Sequence, residues 1–124
     1  MAHITTWEND SLYWRLNGHV DSKEILSLNE EAVGDARIQQ LKYFIIDALD
    51  VETFDVNQED ANLSAIFSKT IHTYNDSVKG AFILQNDDIR VLVDEYIRHS
   101  HELGSTWAFK TFDNIEEAIS WAAA

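Results

Sequence analysis

Thr106-Trp107-Ala108-Phe109-Lys110-Thr111-Phe112-Asp113-Asn114-Ile115-Glu116-Glu117-Ala118-Ile119-Ser120-Trp121-Ala122-Ala123-Ala124 reads as a strand running straight into a helix. Trp107, Phe109 and Thr111 fall on one face at period two, the pattern of a half-buried strand. Asp113 followed three positions on by Glu116 has the form of a helix N-cap, and Ile115, Ala118, Ile119 and Ala122 then recur at helical spacing. A strand passing at once into a capped amphipathic helix predicts a helix laid back across a sheet.

Working upstream, the same alternation repeats. Ala81-Phe82-Ile83-Leu84 is an apolar run of strand length, and Asn86 stands where it can cap a helix carrying Ile89, Leu92, Val93, Tyr96 and Ile97, with Gly104 as its end. Leu63, Ile66, Phe67, Thr70, Ile71 and Tyr74 recur at spacings of three and four and predict a helix with this stripe toward the core. Tyr43-Phe44-Ile45-Ile46 predicts a central strand covered on both faces, followed by an acidic loop. Asp21 with Glu24 opens an earlier helix bearing Ile25, Leu28 and Ala32, with Gly34 as its stop. His3 to Glu8 and Ser11 to Asn17 read as an antiparallel pair turned at Glu8-Asn9-Asp10, and Gly18 as the end of the second strand. The order β-β-α-β-α-β-α-β-α predicts an α/β fold with a mixed, mostly parallel sheet, in a single domain over residues 1–124.

Composition narrows the function classes. The chain has 22 acidic and 9 basic residues, a formal net charge of −13, which repels phosphate backbones and anionic lipid headgroups and favours basic partners. Nucleic acid is therefore not an expected partner. The excess is uneven, with 13 acids and 4 bases in residues 1–62 against 9 and 5 in residues 63–124, so an electrostatic partner face is expected on the first half. With no cysteine, disulfides, thiolate metal sites and cysteine nucleophiles are excluded. Met1 to Trp7 has neither a basic region nor an apolar run, and no stretch approaches the ~20 apolar residues of a membrane span. The expectation is a soluble cytoplasmic protein.

The element order, together with Thr111-Phe112-Asp113-Asn114-Ile115-Glu116-Glu117-Ala118-Ile119-Ser120-Trp121, resembles the SpoIIAA-like branch of the STAS superfamily. The resemblance implies a non-enzymatic domain whose recognition centres on the loop after the third strand and the start of the next helix. In the anti-sigma-factor antagonists this place carries an Asp-Ser pair whose serine is phosphorylated. Here it reads Thr53-Phe54-Asp55-Val56-Asn57-Gln58-Glu59-Asp60, so Phe54 and Asp55 fit the pattern but Val56 and Asn57 stand where the serine would be. The resemblance therefore implies partner recognition without that phosphoswitch. The likeness of the branch to lipid-binding domains adds a small apolar ligand as the alternative.

Other constellations have simpler readings. Asp47, Asp50, Glu52, Asp55, Glu59 and Asp60 offer oxygens to a hard cation, but the spacing and mid-loop glycine of a calcium loop are missing, and a solvated acidic segment ending at a helix N-terminus accounts for them. Asp50-Val51-Glu52-Thr53 after an apolar strand suggests an aspartyl nucleophile of a cation-dependent phosphohydrolase, for which Lys110 is the one obvious cationic partner; the acidic pair that would hold the cation is missing. His99 and His101 are two apart and favour a helix C-terminus over chelation. No glycine-rich phosphate loop and no Gly-x-Ser-x-Gly elbow occurs. Trp7, Trp14, Trp107 and Trp121 read as core, with an apolar pocket or a homodimer face as the alternatives.

The sequence thus predicts a binding or regulatory module with no catalytic residues, cofactor or metal. Its partner site is expected at Phe54, Asp55, Val56, Asn57 and Glu59, with Ile66, Phe67 and Tyr74 supporting it from the core.

Overall fold

The structure is a computed structural model and describes residues 2–124. Its strands are β1 (His3–Glu8), β2 (Ser11–Asp21), β3 (Tyr43–Asp55), β4 (Lys79–Ile83) and β5 (Ala108–Phe112), and its helices are α1 (Ser22–Gly34), α2 (Gln58–His72), α3 (Asp87–Glu102) and α4 (Ile115–Ala122), with a 3-10 turn at Ala36–Gln40. The sheet order is β1-β2-β3-β4-β5; β1 and β2 are antiparallel and every other pair is parallel. The expected α/β order and mixed sheet are therefore present.

Parallel crossovers are right-handed, so strands added steadily in one direction place every connecting helix on the same face. That is the arrangement here. The larger core lies between the sheet and α1, α2 and α3, built from Leu12, Trp14, Leu28, Phe44, Ile71, Phe82, Tyr96 and Trp107 among others. The smaller core joins Ile45, Ala81 and Ile83 on the opposite face to Ala118 of α4, with Phe112 and Trp121 packed against it. The closing strand and helix thus fold back as their pattern predicts, and Trp14, Trp107 and Trp121 all serve as packing groups.

Four local expectations are corrected. The residues read as an acidic loop after Ile46 continue β3 as far as Asp55. The register shifts between the Arg15–Asp47 and Asn17–Asp50 pairs, and again between Gly18–Val51 and His19–Thr53. Each shift inserts one residue into β3, so the core-facing positions Phe44, Ile46, Ala48, Val51, Phe54 and Val56 break period two twice and hide the strand. β2 likewise runs through Gly18, whose φ of 63° lets the backbone take the second shift without strain. β4 accompanies β3 only from Tyr43 to Asp47, so the remainder of β3 has β2 alone as a neighbour.

Helix α2 keeps Ile71 of its predicted stripe buried but turns most of that stripe away from the core. Ala61, Ala65, Ser68 and Ile71 are buried, while Leu63, Ile66 and Tyr74 are 41%, 50% and 67% exposed and Phe67 is half-buried. The middle helix of three packs on both α1 and α3 and turns its small residues inward, which leaves Leu63, Ile66 and Tyr74 outside. At α4 the cap is Asn114, accepting from the Glu117 N–H at 2.9 Å, and not Asp113, because the extended chain runs one residue further.

Gly80 occupies the strand position between Phe44 and Phe109. A Cβ there would lie 2.5 Å from Phe44 Cζ and 2.9 Å from Phe109 Cδ1. Those rings are held by Phe82, Trp107 and Tyr96 at centroid separations of 5.4–6.3 Å, so they cannot retreat independently. Gly80→Ala is expected to destabilise the fold by about 1–3 kcal/mol, read as a lowered urea midpoint at unchanged slope; an unchanged midpoint would show that the rings repack freely.

Candidate functional site

The parallel arrangement brings the ends of β2 and β3 and the starts of α1, α2 and α3 to one end of the sheet. Each start is capped by a side chain. Asp21 accepts from the Glu24 N–H at 3.1 Å, and Asn86 accepts from the Asp88 and Ile89 N–H groups at 2.8 and 3.2 Å. At α2, Asn57 Oδ1 accepts from the Asp60 N–H and Asp60 Oδ2 accepts from the Asn57 N–H, both at 3.0 Å, a reciprocal capping box. Asp60 Oδ2 also accepts from Ser22 Oγ at 2.6 Å, which ties the start of α2 to that of α1.

The five residues expected to form a partner site divide by role. Phe54, paired with Val20, is half-buried and packs against the larger core, as does Val56 in the link to α2. Asp55, Asn57 and Glu59 are exposed. Asn57 is committed to the capping box, while Glu59 sits in the first turn of α2, where a negative charge is favoured by the helix dipole. The supporting residues Ile66 and Tyr74 lie in solvent, and Phe67 half so, instead of in the core.

Glu59, Leu63, Ile66 and Thr70 follow at spacings of four, three and four, and therefore line the solvent side of α2. Leu26 and Val33 of α1 and Val91 of α3 are also exposed, at 38%, 37% and 66%. The outer helical layer thus carries apolar side chains beside an acidic rim made by Asp55, Glu59, Asp87 and Asp88. Of the other acids, Asp50 is bonded to Arg15, and Asp47 Oδ1 accepts from the Leu49 N–H at 3.0 Å. Lys110 lies two strands from β3 with its Nζ 5.5 Å from the Phe112 ring centroid, so it is not brought beside Asp50. Among the described residues, no three His, Asp or Glu side chains converge as a metal site, and no helix is long and apolar enough to cross a membrane.

Beneath this end, between the sheet and α1, α2 and α3, lies a cavity of about 130 Å³ with an almost wholly apolar wall that includes Trp14, Phe44, Phe54, Val56, Phe82 and Tyr96. The Tyr96 hydroxyl is bonded to Ser68 Oγ at 2.6 Å, and burial pushes its pKa up to about 12. Tyr96 therefore stays neutral. The sequence reading names Phe54 and Val56 for a surface; it misses that they also line this space, since the β3 bulges conceal which way they face.

No protein-family model matches the chain, and no curated protein sequence matches it. Solved structures do. The chain is similar to the anti-sigma factor antagonist SpoIIAA in its unphosphorylated form, at 11% identity with a TM-score of 0.64 and 99% of both chains covered. It is also similar to an uncharacterized DUF3478-family protein from Shewanella loihica PV-4 that has a SpoIIAA-like fold, at 16% identity with a TM-score of 0.54, covering 98% of this chain and 92% of that one. The fold is accordingly SpoIIAA-like, as the order of elements implies.

His3 is a second feature that the sequence reading passes over. It is 3% exposed, with Nδ1 2.6 Å from Glu24 Oε2 and Nε2 2.5 Å from Glu31 Oε2, while Thr5 Oγ1 donates to Glu31 Oε1 at 2.9 Å. Its available sequence signal is two acids seven residues apart, hence two turns apart on one face of α1. Both ring nitrogens can donate only in the imidazolium. Burial pushes the His3 pKa down, but the hydrogen bonds to Glu24 and Glu31 and their charges outweigh it and raise the pKa above the ordinary 6.5. A histidine whose folded pKa is raised stabilises the fold fully below its unfolded value and loses that contribution as pH rises through the folded value. The urea midpoint is therefore expected to fall above pH 6.5, and His3→Gln to flatten that decline; parallel pH profiles for the two proteins would refute this role.

Proposed function

We propose that this chain is a non-catalytic binding module that recognises a protein partner at the acidic end of its helical layer, through Phe54, Asp55, Val56, Asn57 and Glu59. The observation that carries the reading is the exposed pair Leu63 and Ile66, on the same side of α2 as Glu59. Apolar side chains left in water beside a charged rim are the composition of a recognition surface, with an apolar centre for affinity and charges for steering. The net charge of −13 makes a basic partner the complementary one, and the module would work in the cytoplasm. Asn57 contributes mainly by holding the start of α2, and its replacement by Ala would cost about 1 kcal/mol of stability.

A second reading, a small apolar-ligand protein, is favoured by the cavity of about 130 Å³. The two readings share one end of the molecule, since Phe54 and Val56 line the cavity and Asp55 faces outward.

The test uses immobilised full-length chain in three forms: wild type, Asp55→Asn with Glu59→Gln, and Leu63→Ser with Ile66→Ser. Since all four residues are exposed, thermal melting should change little. A partner retained by wild type is expected to be lost from both variants, and to elute from wild type as salt is raised. Equal retention by all three would exclude this surface.

A further inference from the structure

We propose that the furrow between α1 and α2 is a docking site for a basic amphipathic helix of a partner protein. The inference rests on the protein-partner reading above and adds the shape of the partner's contacting element and the line along which it lies.

Two side-chain bonds show which sides of the two helices meet. Ser22 Oγ donates to Asp60 Oδ2 at 2.6 Å, and Asn29 Nδ2 donates to Ser64 Oγ at 2.9 Å. Ser22, Leu26, Asn29 and Val33 follow at spacings of four, three and four, so Leu26 and Val33 lie on the α2 side of α1. On α2, Leu63 and Phe67 adjoin Asp60 and Ser64 by the same spacings. Gln58, whose Nε2 donates to Glu95 Oε1 at 3.3 Å, marks the side toward α3, and Ile66 stands nearer to that side. Leu26, Val33 and Leu63 are exposed and Phe67 is half-buried. Two apolar banks therefore face each other across a floor of paired polar groups.

The backbone on either side decides the form of the occupant. Within α1 and α2 the peptide groups are bonded along each helix, and the polar side chains of the floor are bonded to one another, so the furrow offers an extended segment little to pair with. A helix brings its own peptide groups already satisfied. Leu26 and Val33 are two turns apart, about 10.5 Å along the axis, which is the span from i to i+7 of a facing helix. An apolar stripe at i, i+3, i+4 and i+7 therefore reaches both ends of the furrow.

Charge then selects the sequence of that helix. Asp21 and Asp55 are register partners at the end from which α1 and α2 start. Glu30 stands one turn beyond Leu26 and Glu59 one turn before Leu63, both exposed, while Lys23 is the only base of α1. The rim is acidic on balance, so lysine or arginine beside the apolar stripe is complementary. The same rim opposes a second copy of this chain, whose net charge is −13.

The test uses the methyl-labelled full chain and a peptide of two Leu-Lys-Lys-Leu-Leu-Lys-Leu repeats, which sets an apolar stripe at helical spacing among lysines. The peptide is expected to shift the methyl signals of Leu26, Val33 and Leu63 and to leave that of Val91 on α3 in place. An alternating Leu-Lys peptide of the same length, patterned as a strand with similar charge, should bind about tenfold more weakly or worse. Leu26→Ser with Val33→Ser should weaken the helical peptide about tenfold, and Glu30→Gln with Glu59→Gln should weaken it and flatten its salt dependence. The wild-type footprint does not depend on either variant folding. Shifts confined to Ile66 and Val91 would place the helix on the α3 side and overturn the furrow, while the protein-partner reading survives. Equal binding of the two peptides would reduce recognition to charge and overturn the helical occupant. No binding of the helical peptide overturns the proposal as well, and leaves the protein-partner reading to its own retention test. Concentration-dependent shifts of Leu26 and Leu63 in the free chain would assign the furrow to a second copy and likewise overturn it.

Discussion

Crossovers of one hand, repeated three times in one direction across a sheet, determine most of what this molecule presents to its surroundings. They place α1, α2 and α3 on one face and leave the opposite face to α4. They also align the starts of three helices at the end of the sheet where β2 and β3 finish. Unsatisfied N–H groups and positive dipole ends therefore gather in one place, and the sequence answers with Asp21, Asn57 and Asn86 as caps and with Glu24, Glu59, Asp60, Asp87 and Asp88 in the first turns. Much of the acidity at this end thus has a structural cause. Asp55, exposed and outside any cap, is the acid least explained in that way.

The middle position of α2 has its own consequence. A helix flanked on both sides turns Ala61, Ala65, Ser68 and Ile71 inward, towards the core that Phe44 and Phe82 help to build, and carries Leu63 and Ile66 outward. Packing and surface chemistry are coupled here: with Ala61, Ala65 and Ser68 turned inward, Leu63 and Ile66 are left to meet water. The cavity belongs to the same balance, because small side chains from α2 face large rings on the strands without filling every gap between them.

The architecture was legible in the sequence because most strands and helices keep their periods. The alternation of apolar runs with capped helices, and the closing strand and helix, specify the order and the mostly parallel sheet. Where the reading failed, a local irregularity or a tertiary constraint had replaced a simple period. Two inserted residues disguise nine residues of β3 as a loop, from Asp47 to Asp55. At α2 the 3.6-residue period is genuine, but periodicity does not say which of two stripes is buried, and Ala61, Ala65 and Ser68 are the inconspicuous one. The contact of His3 with Glu24 and Glu31 joins residues distant in sequence, and nothing local to His3 announces it. For the site, residue types located the acidic end of the fold but not the division between inward Phe54 and Val56 and outward Asp55 and Glu59.

The length of β3 beyond its pairing with β4 has a bearing on self-association. From Ala48 to Asp55 the strand has β2 on one side and, among the described residues, no strand on the other, which leaves peptide groups that a foreign strand could adopt as a template. Two bulges bend this edge out of register, and Asp47 occupies the Leu49 N–H where β4 departs. Asp50, Glu52 and Asp55 then make the approach of a second equally acidic chain unfavourable while they remain ionised. The carboxylates of β3 therefore act as gatekeepers of an open backbone edge, so that self-association through it is opposed by the same charges that distinguish the surface.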